Sequence, residues 1–61
     1  EMSLRERQVA KLLAEGNTTK EIARLLGLSP RTVEVHRARL MKKFSARNSL
    51  ELIAHIAGIP L

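Results

Sequence analysis

Residues 19–38 read T-K-E-I-A-R-L-L-G-L-S-P-R-T-V-E-V-H-R-A, and this stretch decides the reading of the chain. It predicts a short helix, a turn over 27–29 and a second helix with a basic outer face. Ala23 is small where two helices must cross closely, because a larger side chain would push their axes apart. Gly27 follows the last apolar residue of the first helix, where the chain needs a left-handed conformation that glycine adopts without steric penalty. Ser29 can accept a backbone N–H of the next helix, and Pro30 takes the first helical position, where its missing donor costs nothing. Val33 is placed to close the corner between the two helices. A lone Ala–Gly pair would describe any helical hairpin. With Ser-Pro, the buried valine and the basic second helix, the set predicts a helix-turn-helix whose second helix enters a DNA major groove.

Size and composition narrow the choice. The 61 residues make one domain, 1–61, near the lower limit for folding without metals or disulfides. With no cysteine there is neither a disulfide framework nor a thiolate metal site. No apolar run approaches a membrane span and no signal peptide is present, so the expectation is a cytoplasmic protein without a membrane partner. Phe44 is the one aromatic side chain of its kind, which argues against modules that stack single-stranded bases on aromatic platforms. Charge is uneven. Residues 1–30 carry five basic and four acidic groups, and residues 31–61 carry six basic and two acidic, so nearly all of the net +5 falls in the second half. Arg31, Arg37, Arg39, Lys42, Lys43 and Arg47 supply it, a cluster suited to a polyanion.

Three capping boxes, Ser3-x-x-Glu6, Thr18-x-x-Glu21 and Asn48-x-x-Glu51, join Ser29-Pro30 in marking four helix starts. The expected helices run from about Leu4 to Glu15, Lys20 to Leu26, Pro30 to Phe44 and Ser49 to Ala57. The first buries Val9, Leu12 and Leu13, and the second Ile22, Ala23 and Leu26. At about 100° per residue, Val33, Leu40, Met41 and Phe44 of the third helix form a core arc. Arg31, Glu34, Val35, Ala38, Arg39 and Lys42 lie opposite, with Thr32, His36 and Lys43 on the flank. Arg37 falls inside the apolar arc. Its stem should lie on the core edge and its guanidinium reach a carboxylate or a phosphate. In the fourth helix Leu50, Ile53, Ala54 and Ala57 share one face, while Leu52 and Ile56 widen the apolar arc to about 200°. An edge helix needs roughly half of that for its own core, and the surplus suggests a partner.

These residues resemble a known family. L-R-E-R-Q-V over 4–9, L-L-A-E-G over 12–16 and the stretch 19–38 are similar to the LuxR-type helix-turn-helix of bacterial regulators, and S-P-R-T-V-E-V-H-R-A to its FixJ/NarL branch of two-component response regulators. The resemblance implies an all-α, four-helix DNA-binding output domain, recognition helix 30–44, and dimerisation through helix 49–57 by Leu50, Ile53, Ala54 and Ala57. It implies base contacts from Arg31, Glu34, Val35 and Ala38, and phosphate contacts from Thr19, Lys20, Thr32, His36, Arg39, Lys42 and Lys43. Glu34 and Ala38 stand where several relatives carry lysine, so a target sequence does not transfer; Arg37 stands where many carry an aliphatic residue. The implied partners are a partly palindromic double-stranded operator, a weak homodimer, RNA polymerase, and an N-terminal receiver domain lying outside this chain. The chain has no aspartate to accept a phosphoryl group and starts two residues before its first helix cap, as an excised effector domain would.

Catalysis lacks its parts. His36 and His55 sit on different helices, neither belongs to a nucleophile–base pair, and neither has metal-ligand spacing. No catalytic residue, metal or cofactor is expected. Two other readings are weighed: the promoter-reading region of a sigma factor, against which the apolar fourth helix counts, and a helical protein-interaction module with an incidental basic face.

Overall fold

Side-chain caps set the helix starts in the structure, a computed structural model that describes residues 2–58. Helix α1 spans Leu4–Ala14, α2 Thr19–Leu26, α3 Pro30–Lys43 and α4 Ser49–Ala57, with no strand among the described residues. All four expected helices form, with ends within a residue or so of expectation, and the fold is all-α. Ser3 accepts the Glu6 N–H while Glu6 Oε1 accepts the Ser3 N–H, and Thr18 and Glu21 repeat the exchange. The third expected box forms only in half. Asn48 Oδ1 accepts the Glu51 N–H, but the Glu51 carboxylate turns to Arg47, taking its backbone N–H at 2.8 Å and its guanidinium at 2.8 and 3.1 Å. A charged fork outbids one neutral amide for the same acceptor.

Helix ends follow one pattern. At Gly27 (φ +68) the Leu28 N–H reaches Ala23 O at 2.8 Å and the Gly27 N–H reaches Arg24 O at 3.4 Å, satisfying carbonyls that the helix leaves open. After α3 the same bonds recur, Ala46 N–H to Met41 O at 2.8 Å and Ser45 N–H to Lys42 O at 3.2 Å. Here the left-handed position belongs to Ser45, at φ +53.

Helix α3 is the centre of the packing, lying against α1 and α2, while α4 packs on α1 and more lightly on α3. Val9, Ala10, Leu13, Ile22, Ala23, Val33, Leu40 and Leu52 form one connected buried cluster. The two helices of the motif thus meet through Ala23 and Val33 as their sizes require. Leu12 and Leu26, expected in the core, are half-buried at its edge; on α1 it is Ala10 and Glu6 that turn inward with Val9 and Leu13. The larger correction is in α4. Leu52, read as widening the apolar arc, is its fully buried core residue, and Ala54, read as part of the partner stripe, is 5% exposed. The direction in which α4 docks on α1 decides this, and periodicity alone cannot supply it.

Glu6 has a second role beyond its cap. It is 4% exposed and meets Lys43 Nζ at 2.8 Å, tying the start of α1 to the end of α3. The ammonium of Lys43, helped by the Ser3 backbone N–H, lowers its carboxyl from 4.5 to about 2.

Candidate nucleic-acid interface

Ser29 and Pro30 launch α3 with its first turn at the surface: Ser29 Oγ accepts the Thr32 N–H at 3.1 Å and shares a 3.0 Å bond with Thr32 Oγ1. Because Val33 and Leu40 are buried against the other helices, the opposite face is left open. Arg31, Glu34, Val35 and Ala38 are exposed and together line a shallow concavity of about 290 Å³. Those four residues were expected to read bases, and the fold brings them to one strip. A polar acceptor, a cation and two apolar groups side by side can discriminate base edges in a major groove.

The cations expected to attract a polyanion divide into two sets. Arg37 pairs with Glu34, Lys43 with Glu6 and Arg47 with Glu51. Arg31, Arg39, Lys42 and Lys20 are exposed, with no carboxylate in ion-pair reach among the described residues. The unpaired set has its charge to offer to phosphates. Lys43, expected at a phosphate, is engaged inside the domain. Thr19 is the first residue of α2, Lys20 follows it at the surface, and Thr32 and His36 are half-buried on the flank of α3. His36 Nδ1 is buried with no hydrogen-bond partner among the described residues, so the polar work of this ring falls to Nε2.

Arg37 is resolved by the structure in favour of a carboxylate. Its Nε donates to Glu34 Oε1 at 3.0 Å and its Nη1 to Ser49 Oγ at 2.6 Å, with Met41 Sδ 3.7 Å from Nη1. Glu34 Oε2 accepts the Thr19 hydroxyl at 3.1 Å. The Arg37 hydrogen bond foremost, then that of Thr19, holds the Glu34 carboxyl below its ordinary value against the opposing effect of burial. Side chains of α2 and α3 therefore meet on this carboxylate, and Ser49 of α4 accepts from the arginine that holds it. The Glu34–Arg37 spacing was readable as a helical i, i+3 pair, but Ser49 carries no sequence signal of the contact. Beneath the network a groove of about 400 Å³ runs past Leu13, Thr18 and Ile53.

Of the stripe expected at a partner, Leu50 is 73% exposed, Ala57 is exposed, Ile53 is half-buried against the core, and Ala54 is withdrawn from the surface. The exposed ring of His55 stacks on Phe44, with centroids 6.0 Å apart, and so fastens α4 to the end of α3. Among the described residues no three His, Cys, Asp or Glu side chains group as a metal site, and no helix is long and apolar enough to cross a membrane.

Residues 1–56 match the family described as bacterial regulatory proteins, luxR family. The chain is 59% identical over 51 residues to the transcriptional regulatory protein UhpA of Escherichia coli, covering 84% of this chain and 26% of that protein. It is 50% identical over 60 residues to the transcriptional regulatory protein FixJ of Azorhizobium caulinodans, covering 95% of this chain and 28% of FixJ. With the tetrathionate response regulatory protein TtrR of Salmonella typhimurium the identity is 45% over 53 residues, covering 87% and 26%. The chain thus spans about a quarter of the length of these relatives. No solved structure matches it.

Proposed function

This chain belongs to the luxR family of bacterial regulatory proteins, a DNA-binding and non-enzymatic helix-turn-helix domain, and from that premise we propose the residues and assembly by which it reads an operator. Residues 1–61 act as the single output domain of a two-component response regulator, working in the cytoplasm on the chromosome. In the intact protein an N-terminal receiver domain carries the phospho-accepting aspartate. The observation that carries this reading is the strip on α3, where Arg31, Glu34, Val35 and Ala38 share one open concavity on the exposed face of the second helix of the motif.

In this reading α3 lies in the major groove. The Glu34 carboxylate accepts from the N4 amino group of cytosine, Val35 and Ala38 meet thymine methyls, and Arg31 donates to a guanine edge. Thr19, Lys20, Thr32, His36, Arg39 and Lys42 hold phosphates and fix the register. Lys43 joins them only by sharing its ammonium with Glu6. Helix α4 pairs two copies about a two-fold axis through Leu50, Ile53 and Ala57, which matches a partly palindromic operator. The same assembly presents the domain to RNA polymerase.

Selection of binding sites from random duplexes, followed by titration at several salt concentrations, tests the reading. A recovered half-site in which Glu34→Ala loses preference at one base pair supports it. Binding with no sequence preference, or none that depends on α3, overturns it.

A further inference from the structure

We infer that Arg37 is a specificity-determining residue that never touches the DNA: braced by Ser49, it works with Thr19 to pre-set the Glu34 carboxylate for base reading. The inference rests on the reading of Glu34 as a base contact and adds what makes that contact selective.

The accounting of donors and acceptors carries it. A carboxylate offers acceptor positions on two oxygens, and a guanidinium offers five N–H donors in a fixed plane. Oε1 of Glu34 accepts from Arg37 Nε at 3.0 Å and has Nη2 at 3.0 Å as well, while Oε2 accepts once, from Thr19 at 3.1 Å. Oε2 therefore keeps an open acceptor position, and a single acceptor suits one amino group on a base edge. Four of the five donors of Arg37 are correspondingly engaged. Nε and Nη2 face Glu34, and Nη1 faces Ser49 Oγ at 2.6 Å and Met41 Sδ at 3.7 Å. An arginine so engaged, with its side chain 29% exposed, has little left for a phosphate.

The geometry also supplies rigidity. Glutamate on an open helix face samples many rotamers and has to be ordered when it binds, which weakens discrimination. Here the anchors come from three helices: Thr19 from α2, Arg37 from α3 itself, and Ser49 from the first turn of α4. Glu34 lines both the concavity of the proposed base-reading strip and the groove beside it, so this residue is common to the two.

The test compares Arg37→Met, which keeps an unbranched stem on the core edge and Met41, with Glu34→Ala and with the double variant. Each is read by binding-site selection and by the salt dependence of binding. Arg37→Met should lose roughly ten-fold in preference at the same base pair as Glu34→Ala. The double variant should lose no more than either single one, and the salt slope of Arg37→Met should match the parent. A salt slope lower by about one unit with base preference intact makes Arg37 a phosphate contact and overturns the inference. Losses that add in the double variant also overturn it. If Glu34→Ala leaves base preference unchanged, the reading of Glu34 itself fails, and the inference fails with it. Should Arg37→Met not fold by circular dichroism, Ser49→Ala decides: relaxed preference at that base pair supports the brace, and parental preference overturns it.

Discussion

At the scale of single residues, the unpaired cations and the buried acid make opposite predictions. Lys42 is exposed and without a carboxylate partner among the described residues, so its proposed contribution to DNA binding is counterion release. Lys42→Ala should weaken binding to every duplex alike and reduce the salt slope by about one unit, as measured by titrations between low and physiological salt. A change in base preference with the slope unaltered would assign it to direct readout. Glu6 acts within the fold. Its carboxyl falls from 4.5 to about 2 through Lys43 and the Ser3 backbone, so the stability it lends is complete above pH 4.5 and is lost as pH falls towards 2. Glu6→Gln keeps the cap, because glutamine also serves a capping box, but forfeits the ion pair. Thermal melts from pH 7 to pH 2 should therefore show the variant less stable at neutral pH and with a shallower acid limb than the parent. Identical acid limbs would mean that Lys43 does not hold this carboxylate.

At the scale of elements, the end of α3 is the place where local chemistry and conformation disagree. Ser45 sits at φ +53, where a side chain is disfavoured and glycine is not. The bonds from Ala46 and Ser45 back to Met41 and Lys42 impose that conformation, since they close the last carbonyls of α3. Ser45→Gly should stabilise the domain by about 1 kcal/mol, the relief of left-handed strain less the added freedom of the unfolded chain. For a domain of this size that corresponds to a rise in melting temperature of roughly 4–8 °C. Calorimetry decides, and a lower melting temperature would show that the serine side chain itself supports the turn. Gly27 presents the same conformation at the turn of the motif, but there the sequence already carries the residue that the backbone requires.

For the domain taken as a unit, the proposed assembly depends on a narrow surface. Leu50 is 73% exposed on α4, whereas Ile53 also packs against the core and Ala54 is buried. One short helix per subunit buries much less than a standard interface, so the isolated domain should associate weakly in solution. Two half-sites on one DNA face then raise the effective concentration of the second copy. Leu50→Glu is the informative variant, because it charges the proposed contact without entering the core. Sedimentation with and without a paired-site duplex should show a folded variant that binds a single half-site normally and loses cooperativity on two. Parental cooperativity would exclude α4 as the dimer contact.

The four helices, the turn at Gly27 and the open face of α3 were legible from the order of residues, because caps, a left-handed glycine and helical periodicity act over neighbouring residues. Arg31, Glu34, Val35 and Ala38 were legible as one strip for the same reason: a single helix places them. Packing of the helices was needed to settle which side of α4 is core, since Leu52 and Leu50 differ in burial through the way α4 docks on α1 and not through their own hydrophobicity. It also settled which cations are held in ion pairs within the domain. The partners Lys43–Glu6 and Arg37–Ser49 are 37 and 12 residues apart, and no local pattern links them. Hydrogen bonds of that range exist only once the helices have packed, so the chemistry of Glu34 belongs to the fold and not to the helix that carries it.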